Sequence, residues 1–313
     1  MKLSVLLVHG IGTPDSAWAD ELAQRLRAAT RDEVARLVGR GAAPSVDELL
    51  AIGSVHWDTV LEERQQLLCA ILDAGESPLK TEPSWWYTLV HGWDYLKRSW
   101  KRLEHTFIAE YVADVIGYLD VGAHKEIHQA VTRTLEALPA QVGDATGQGK
   151  LPLTIIAHSL GTVISSDYVW DHAKLRQAQH QRGFHERWRL DNLFTVGSPM
   201  ALFSLKYGGP EAFKQPISVE SKRGRWVNIY DRDDPIGMPL KPLNDAYARV
   251  VARDVQVNAG AYLLAHVRYF LEPKTLSIMA RKLALDWVVL NRRLPPARLQ
   301  ELDDAYDRSL GIP

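Results

Sequence analysis

The sequence predicts an α/β fold: a mostly parallel sheet of about six strands flanked by helices. Three observations predict it. Short apolar, β-branched runs recur along the chain and end in turn or polar residues. None of them alternates apolar with polar residues, so they suit strands buried on both faces, as in a parallel sheet covered by helices. Between them lie stretches whose apolar residues recur at helical spacing.

The first strand is Leu3–Val8, followed by a helical pattern over Ala17–Val38 in which Leu22, Leu26 and Val34 recur among charges. Ile52–Trp57 is the second strand. From Trp57 to Leu153 about a hundred residues then pass without a convincing strand, far more than one crossover needs. Gly75–Ser84 and Val142–Lys150 are the loop-like parts of this stretch. Trp85–Phe107 holds four of the ten tryptophans, interleaved with Lys97, Arg98, Lys101 and Arg102, so this segment is chemically unlike the rest of the chain. Helical spacing returns over Phe107–Leu119 and again with Ile127, Val131, Leu135 and Leu138. Leu153–Ala157 is the third strand, with a helix over Thr162–Gln177 after it. Asn192–Val196 and Trp226–Tyr230 are the fourth and fifth strands, and Arg253–Val257 is a weaker sixth. A late helix, Leu276–Leu290, stops before Pro295-Pro296. No repeat and no linker divides the chain. It reads as one domain, residues 1–313, with a mainly helical insertion over 58–150 as a candidate cap or lid.

Composition narrows the function. Charged residues are 24% of the chain and the net charge is −1, so bulk charge gives no reason to expect a nucleic-acid partner. Cys69 is the one cysteine, which excludes an intrachain disulfide and a cysteine-held zinc. The apolar run Val5–Val8 is too short for a signal peptide and leads straight into His9-Gly10. No stretch of about 18 apolar residues predicts a transmembrane helix. The expectation is a cytoplasmic protein without cofactor or metal; oligomeric state is not legible.

The most informative segment is Leu153-Thr154-Ile155-Ile156-Ala157-His158-Ser159-Leu160-Gly161-Thr162. An apolar strand ends at a serine, a helix begins directly after it, and small residues stand two before and two after. A nucleophile elbow requires this, because strand and helix collide at so tight a turn unless those two positions are small. Alanine, not glycine, fills the first of them. The backbone N–H of Leu160, next after the serine, is a candidate oxyanion donor. A second segment, Leu6-Leu7-Val8-His9-Gly10-Ile11-Gly12-Thr13, ends a strand in a glycine-bearing loop whose N–H groups could face a developing oxyanion. A dinucleotide-binding loop is the other reading, but Asp15 stands where a third glycine belongs.

With these two motifs the sequence resembles the α/β-hydrolase family, particularly bacterial lipases and esterases, some of which share an Ala-His-Ser-x-Gly elbow and a Val-His-Gly-Ile-Gly oxyanion loop. The resemblance covers the strands and not Trp57–Lys150. Its first matched strand is Leu3–Val8, so the leading hairpin of that family's sheet has no counterpart. It implies that the N–H of Ile11 is the second oxyanion donor, and that an Asp and then a His follow the serine.

Trp226–Tyr230 runs into Asp231-Arg232-Asp233-Asp234-Pro235-Ile236, and an acid just past a strand end shares the sheet edge with the elbow. The lipase-like pattern, an Asp with an apolar residue and a proline a few positions on, fits Asp234 with Ile236 and Pro239; Asp231 and Asp233 remain alternatives. His266 is the one histidine after Asp234, expected in a loop, and by elimination it is the candidate base. His124 and His128 are a turn apart, as metal ligands can be, but Lys125 breaks the H-E-x-x-H pattern and a solvated helix face is the simpler reading. Ser198 follows a strand without the small-residue spacing of the elbow.

The chemistry expected of Ser159, Asp234 and His266 is acyl transfer to water from a carboxylic ester, a small molecule or a lipid. Trp93 in the aromatic segment, with Met200, Leu202 and Phe203 after the fourth strand, would line an apolar acyl pocket. Packing of the insertion, or contact with a membrane surface, are other readings of that segment. A thioesterase or amidase with the same triad, or a binding protein on the same fold, are the rival functions.

Overall fold

A computed structural model describes residues 1–10, 16–57, 59–61, 115–142, 149–178 and 184–312. Its centre is a six-stranded, all-parallel sheet in the order β2-β1-β3-β4-β5-β6. The strands are β1 (Leu3–Val8), β2 (Leu50–Val55), β3 (Leu151–His158), β4 (Trp188–Val196), β5 (Trp226–Tyr230) and β6 (Arg253–Gln256). The parallel sheet of about six strands is therefore present, including the weak sixth. Boundaries differ by a few residues. The second strand starts and ends two residues before Ile52–Trp57, which leaves Trp57 outside it. The fourth reaches back to Trp188, because Trp188, Arg189 and Leu190 pair with Leu151, Pro152 and Leu153 of β3.

The described helices include α1 (Ser16–Val38), α2 (Val121–Ala137), α3 (Leu160–Ala178), α4 (Leu263–Arg268), α5 (Pro273–Leu290) and α6 (Pro296–Leu310), with further short helices between. Val142, expected to open a loop, closes the short helix Pro139–Val142. The late helix ends before Pro295-Pro296, as expected, and a further helix follows them. α5 ends at Leu290, capped by Asn291, and Pro296 fits the first turn of α6, where its missing N–H has no partner to lose. Gly311 closes α6 in the left-handed conformation. Among the described residues no helix is long and apolar enough to cross a membrane.

The chain divides into two compact units. One comprises Met1–Gly10, Pro14–His56 and Ala130–Pro313, and carries the whole sheet. Every residue of β1 is buried. Val5 and Leu7 join one core with Leu22, Leu26 and Val34 of α1 and Ile278, Met279 and Leu283 of α5. Leu6 is equally buried and, by strand alternation, faces the opposite side. Burial on both faces is why these runs carry no polar alternation. The other unit comprises Ile11–Thr13 and Trp57–Gln129. Its described part is helical: Gly117 lies close on the Leu61 side chain, and Asp120 caps the Ala123 N–H (3.0 Å) as α2 begins. His124 and His128 sit one turn apart on α2, ring centroids 4.0 Å apart. Most of 58–150, including the aromatic segment Trp85–Phe107, lies outside the described residues.

Sheet order places the site. β2 lies on one side of β1 and β3 on the other, so the chain changes direction between β1 and β3. In open parallel sheets the crevice at the carboxyl ends of such a pair is where ligands bind. Val8 pairs with Ala157, and His158 with Val196. Gly10, Ser159, Gly197 and Asp231 therefore all emerge at this edge.

Candidate active site

Ser159 sits between β3 and α3 with φ 52°, a left-handed conformation that a non-glycine residue rarely adopts. Such strain persists only where the surroundings over-determine it, and here they do. The Ser159 N–H donates to the Val196 carbonyl (2.9 Å), while its own carbonyl accepts from the Thr162 N–H (3.0 Å) and Thr162 Oγ1 (2.7 Å). The small positions have direct steric causes. A Cβ on Gly161 would strike the Val8 and His9 carbonyl oxygens, and Ala157 is fully buried. A Cβ on Gly10 would collide with Ser159 Cβ, so the loop after β1 reaches the serine only because Gly10 has none.

His266 Nε2 lies 2.7 Å from Ser159 Oγ, and its Nδ1 lies 2.9 Å from Asp234 Oδ2. An ionised carboxylate only accepts, so Nδ1–H donates to Asp234 and Nε2 is left to accept the Ser159 hydroxyl proton. All three residues are buried. His266 lies not in a loop, as expected, but on the short helix α4, which starts after Tyr262 in another strained conformation (φ 52°, ψ −130°).

The three aspartates after β5 separate cleanly. Asp231 Oδ1 accepts from the Asp233 N–H (3.0 Å) and Oδ2 from the Ala259 N–H (2.6 Å), so it ties loops together. Asp233 is exposed. Asp234 faces His266, and its Oδ1 accepts the Ile236 N–H (2.9 Å). Burial pushes its carboxyl upward. The hydrogen bond and charge of His266, with the Ile236 N–H and the Tyr269 hydroxyl, outweigh burial and hold it below the usual carboxylate range.

Two neighbours were not legible as partners from the sequence. His158 Nε2–H donates to the His266 backbone carbonyl (2.7 Å), and the two rings lie 5.0 Å apart. Burial, then the His266 charge, pushes its pKa down to about 3, so His158 stays neutral. Tyr269, three positions after His266, donates to Asp234 Oδ2 (2.8 Å). The signal for Tyr269 is its spacing from His266, a helical turn, but an aromatic residue in an apolar run reads equally well as core.

Leu160 is the first residue of α3, so its N–H has no acceptor within the helix. Ile11, the other oxyanion candidate, and Trp93 lie outside the described residues. Met200, Leu202 and Phe203 form a short helix at the same sheet edge; Met200 and Phe203 are buried and Leu202 is 38% exposed. Ser198 is buried and hydrogen-bonded to Thr162 Oγ1 (2.8 Å), which joins the start of α3 to the turn after β4. Comparison with models of protein families finds no match, and neither does comparison with curated proteins.

Proposed function

We propose that this protein is a serine hydrolase of the α/β-hydrolase kind that cleaves carboxylic esters, with preference for apolar acyl chains. The observation that supports this most directly is the unbroken series Ser159 Oγ, His266 Nε2, His266 Nδ1, Asp234 Oδ2, at 2.7 Å and 2.9 Å, on a strained elbow at a sheet switch point. The order Ser, Asp, His along the chain, and the Ala-His-Ser-Leu-Gly and Val-His-Gly-Ile-Gly segments, point the same way.

Ser159 Oγ attacks the ester carbonyl carbon while His266 Nε2 takes its proton. The Leu160 N–H, and by resemblance the Ile11 N–H, donate to the oxygen that becomes negative. Asp234 holds the imidazole tautomer and stabilises the imidazolium. The alcohol leaves with the proton from His266. Water, deprotonated by the same nitrogen, then attacks the acyl-serine, frees the acid and restores Ser159. One cysteine and near-zero net charge fit a cytoplasmic enzyme with a small-molecule or lipid ester substrate.

A fluorophosphonate probe tests the reaction class: it should label the intact protein on Ser159, and Ser159→Ala should lose labelling and about a million-fold in ester turnover. Most turnover surviving in that variant would overturn the assignment. A panel of aryl esters and acyl-thioesters of graded chain length tests the substrate class. Octanoyl esters should be hydrolysed at least as fast as acetyl esters, and acetyl esters cleaved much faster would refute the apolar-acyl preference.

A further inference from the structure

We infer that Tyr269 is a positioning residue of this site, whose hydroxyl locks Asp234 and tempers the negative charge it presents to His266. The inference rests on the hydrolase reading above. It starts from the direction of one proton. Tyr269 Oη has two partners: the Asp231 N–H, at 2.8 Å, and Asp234 Oδ2, at 2.8 Å. A backbone N–H can only donate, so Oη accepts there and its own proton points at Asp234. Burial, and then the charge of Asp234, push the phenol's pKa upward, so that proton is not lost in the ordinary pH range.

The oxygen that receives it is the same Oδ2 that accepts His266 Nδ1–H. Oδ1 is held separately by the Ile236 N–H. Asp234 is thus fixed at both oxygens, and the one facing the base shares its charge with a second donor. A carboxylate stripped of that donor is more basic and stabilises the imidazolium more strongly. His266 would then hold its proton to higher pH, and less of it would be in the form that activates Ser159. The Tyr269 proton itself stays on Oη throughout, and the protons that move are those of Ser159 and the attacking water, both through His266 Nε2.

Two glycines leave room for this pair from different loops. A Cβ on Gly197, which has φ +55°, would come within 2.7 Å of Tyr269 Cε2 and 3.2 Å of Asp234 Oδ2. A Cβ on Gly237 would run into Asp234 Oδ2 and lie 2.7 Å from Tyr269 Oη. Among the described residues, the other titratable groups at Tyr269 are Asp231 and His158, whose ring centroid is 6.1 Å away, with His266 sharing Asp234 Oδ2. A tyrosine serving only to fill the core would need neither the hydroxyl nor these vacated positions.

The test is Tyr269→Phe in the full chain. It would be read by the pH dependence of fluorophosphonate labelling and of kcat/KM for an aryl ester, with the urea unfolding midpoint alongside. The acid limb should move to higher pH by about one unit. Gly237→Ala keeps the phenol but wedges a methyl group between it and Asp234, so its acid limb should move the same way. It decides the matter if Tyr269→Phe does not fold. An acid limb that stays in place or moves to lower pH, whatever the unfolding midpoint does, overturns the inference. A wild-type protein that does not label at Ser159 overturns the hydrolase reading itself, and the two failures are told apart because the second needs no variant.

Discussion

Asp231, Asp233 and Asp234 lie within four positions, and only their surroundings separate them. The sequence narrows the candidate acid to this cluster because a charged turn follows a buried strand at the elbow's edge of the sheet. It cannot finish the choice from the residues alone, since which carboxylate turns inward depends on the backbone of the turn. In the fold, Asp231 is consumed by the Asp233 and Ala259 N–H groups, Asp233 is exposed, and Asp234 meets His266. Asp234→Asn should therefore lower kcat/KM about ten-thousand-fold, because an amide no longer fixes the imidazole tautomer. Asp233→Asn should leave it within about twofold of wild type, as an exposed side chain away from the chemistry does. Equal losses in steady-state hydrolysis would contradict the assignment. The tight turn at Ser159 is legible for a different reason: its signal is steric and local, written in Ala157 and Gly161. His158 and Tyr269 are not, because each acts through a partner more than thirty positions away in the chain.

At the scale of elements, strands buried on both faces were the easiest to read and helix ends the hardest. The i, i+4 pair Lys282 and Asp286 on α5 shows why burial is hard to see in sequence. At that spacing it looks like an exposed helix salt bridge, worth little. In the fold Lys282 is only 1% exposed and ion-paired with Asp286, whose other oxygen accepts from Asn192 Nδ2 (2.7 Å). The same amide reaches Thr154 Oγ1 (3.0 Å) on β3, and Asn192 Oδ1 accepts the Arg225 N–H (3.1 Å) just before β5. This one network ties α5 to β3, to β4 and to the residue just before β5. Asp286→Ala strands a buried ammonium and should cost about 3–5 kcal/mol of stability, read from urea unfolding. Lys282→Met in the same background should recover most of it by removing the stranded charge. A loss below about 0.5 kcal/mol in the single variant would mean the pair behaves as a surface one.

At the scale of the whole molecule, the described groups of the candidate site gather at one edge of the sheet, and their electrostatics enter the stability of the entire fold. His158 is held neutral down to about pH 3, whereas in the unfolded chain its imidazole takes a proton near pH 6.5. Below that pH the unfolded chain binds a proton that the folded one does not, so stability falls with falling pH until the folded value is reached. The slope from this one group is at most about 1.4 kcal/mol per pH unit. Asp234 adds to the same trend lower down. Its folded pKa is depressed, so its contribution is present above the ordinary aspartate value and is lost as pH falls through the folded one. Together these two groups favour the fold at neutral pH and above, and their contribution is withdrawn on acidification. His158→Gln retains a donor for the His266 carbonyl but cannot be protonated. Between about pH 7 and about pH 5 its urea-unfolding free energy should decline less steeply than that of the wild type, by about 1 kcal/mol per pH unit. Parallel declines in the two proteins would show that His158 is protonated in the folded state as readily as in the unfolded chain, and that its burial beside His266 sets no proton linkage.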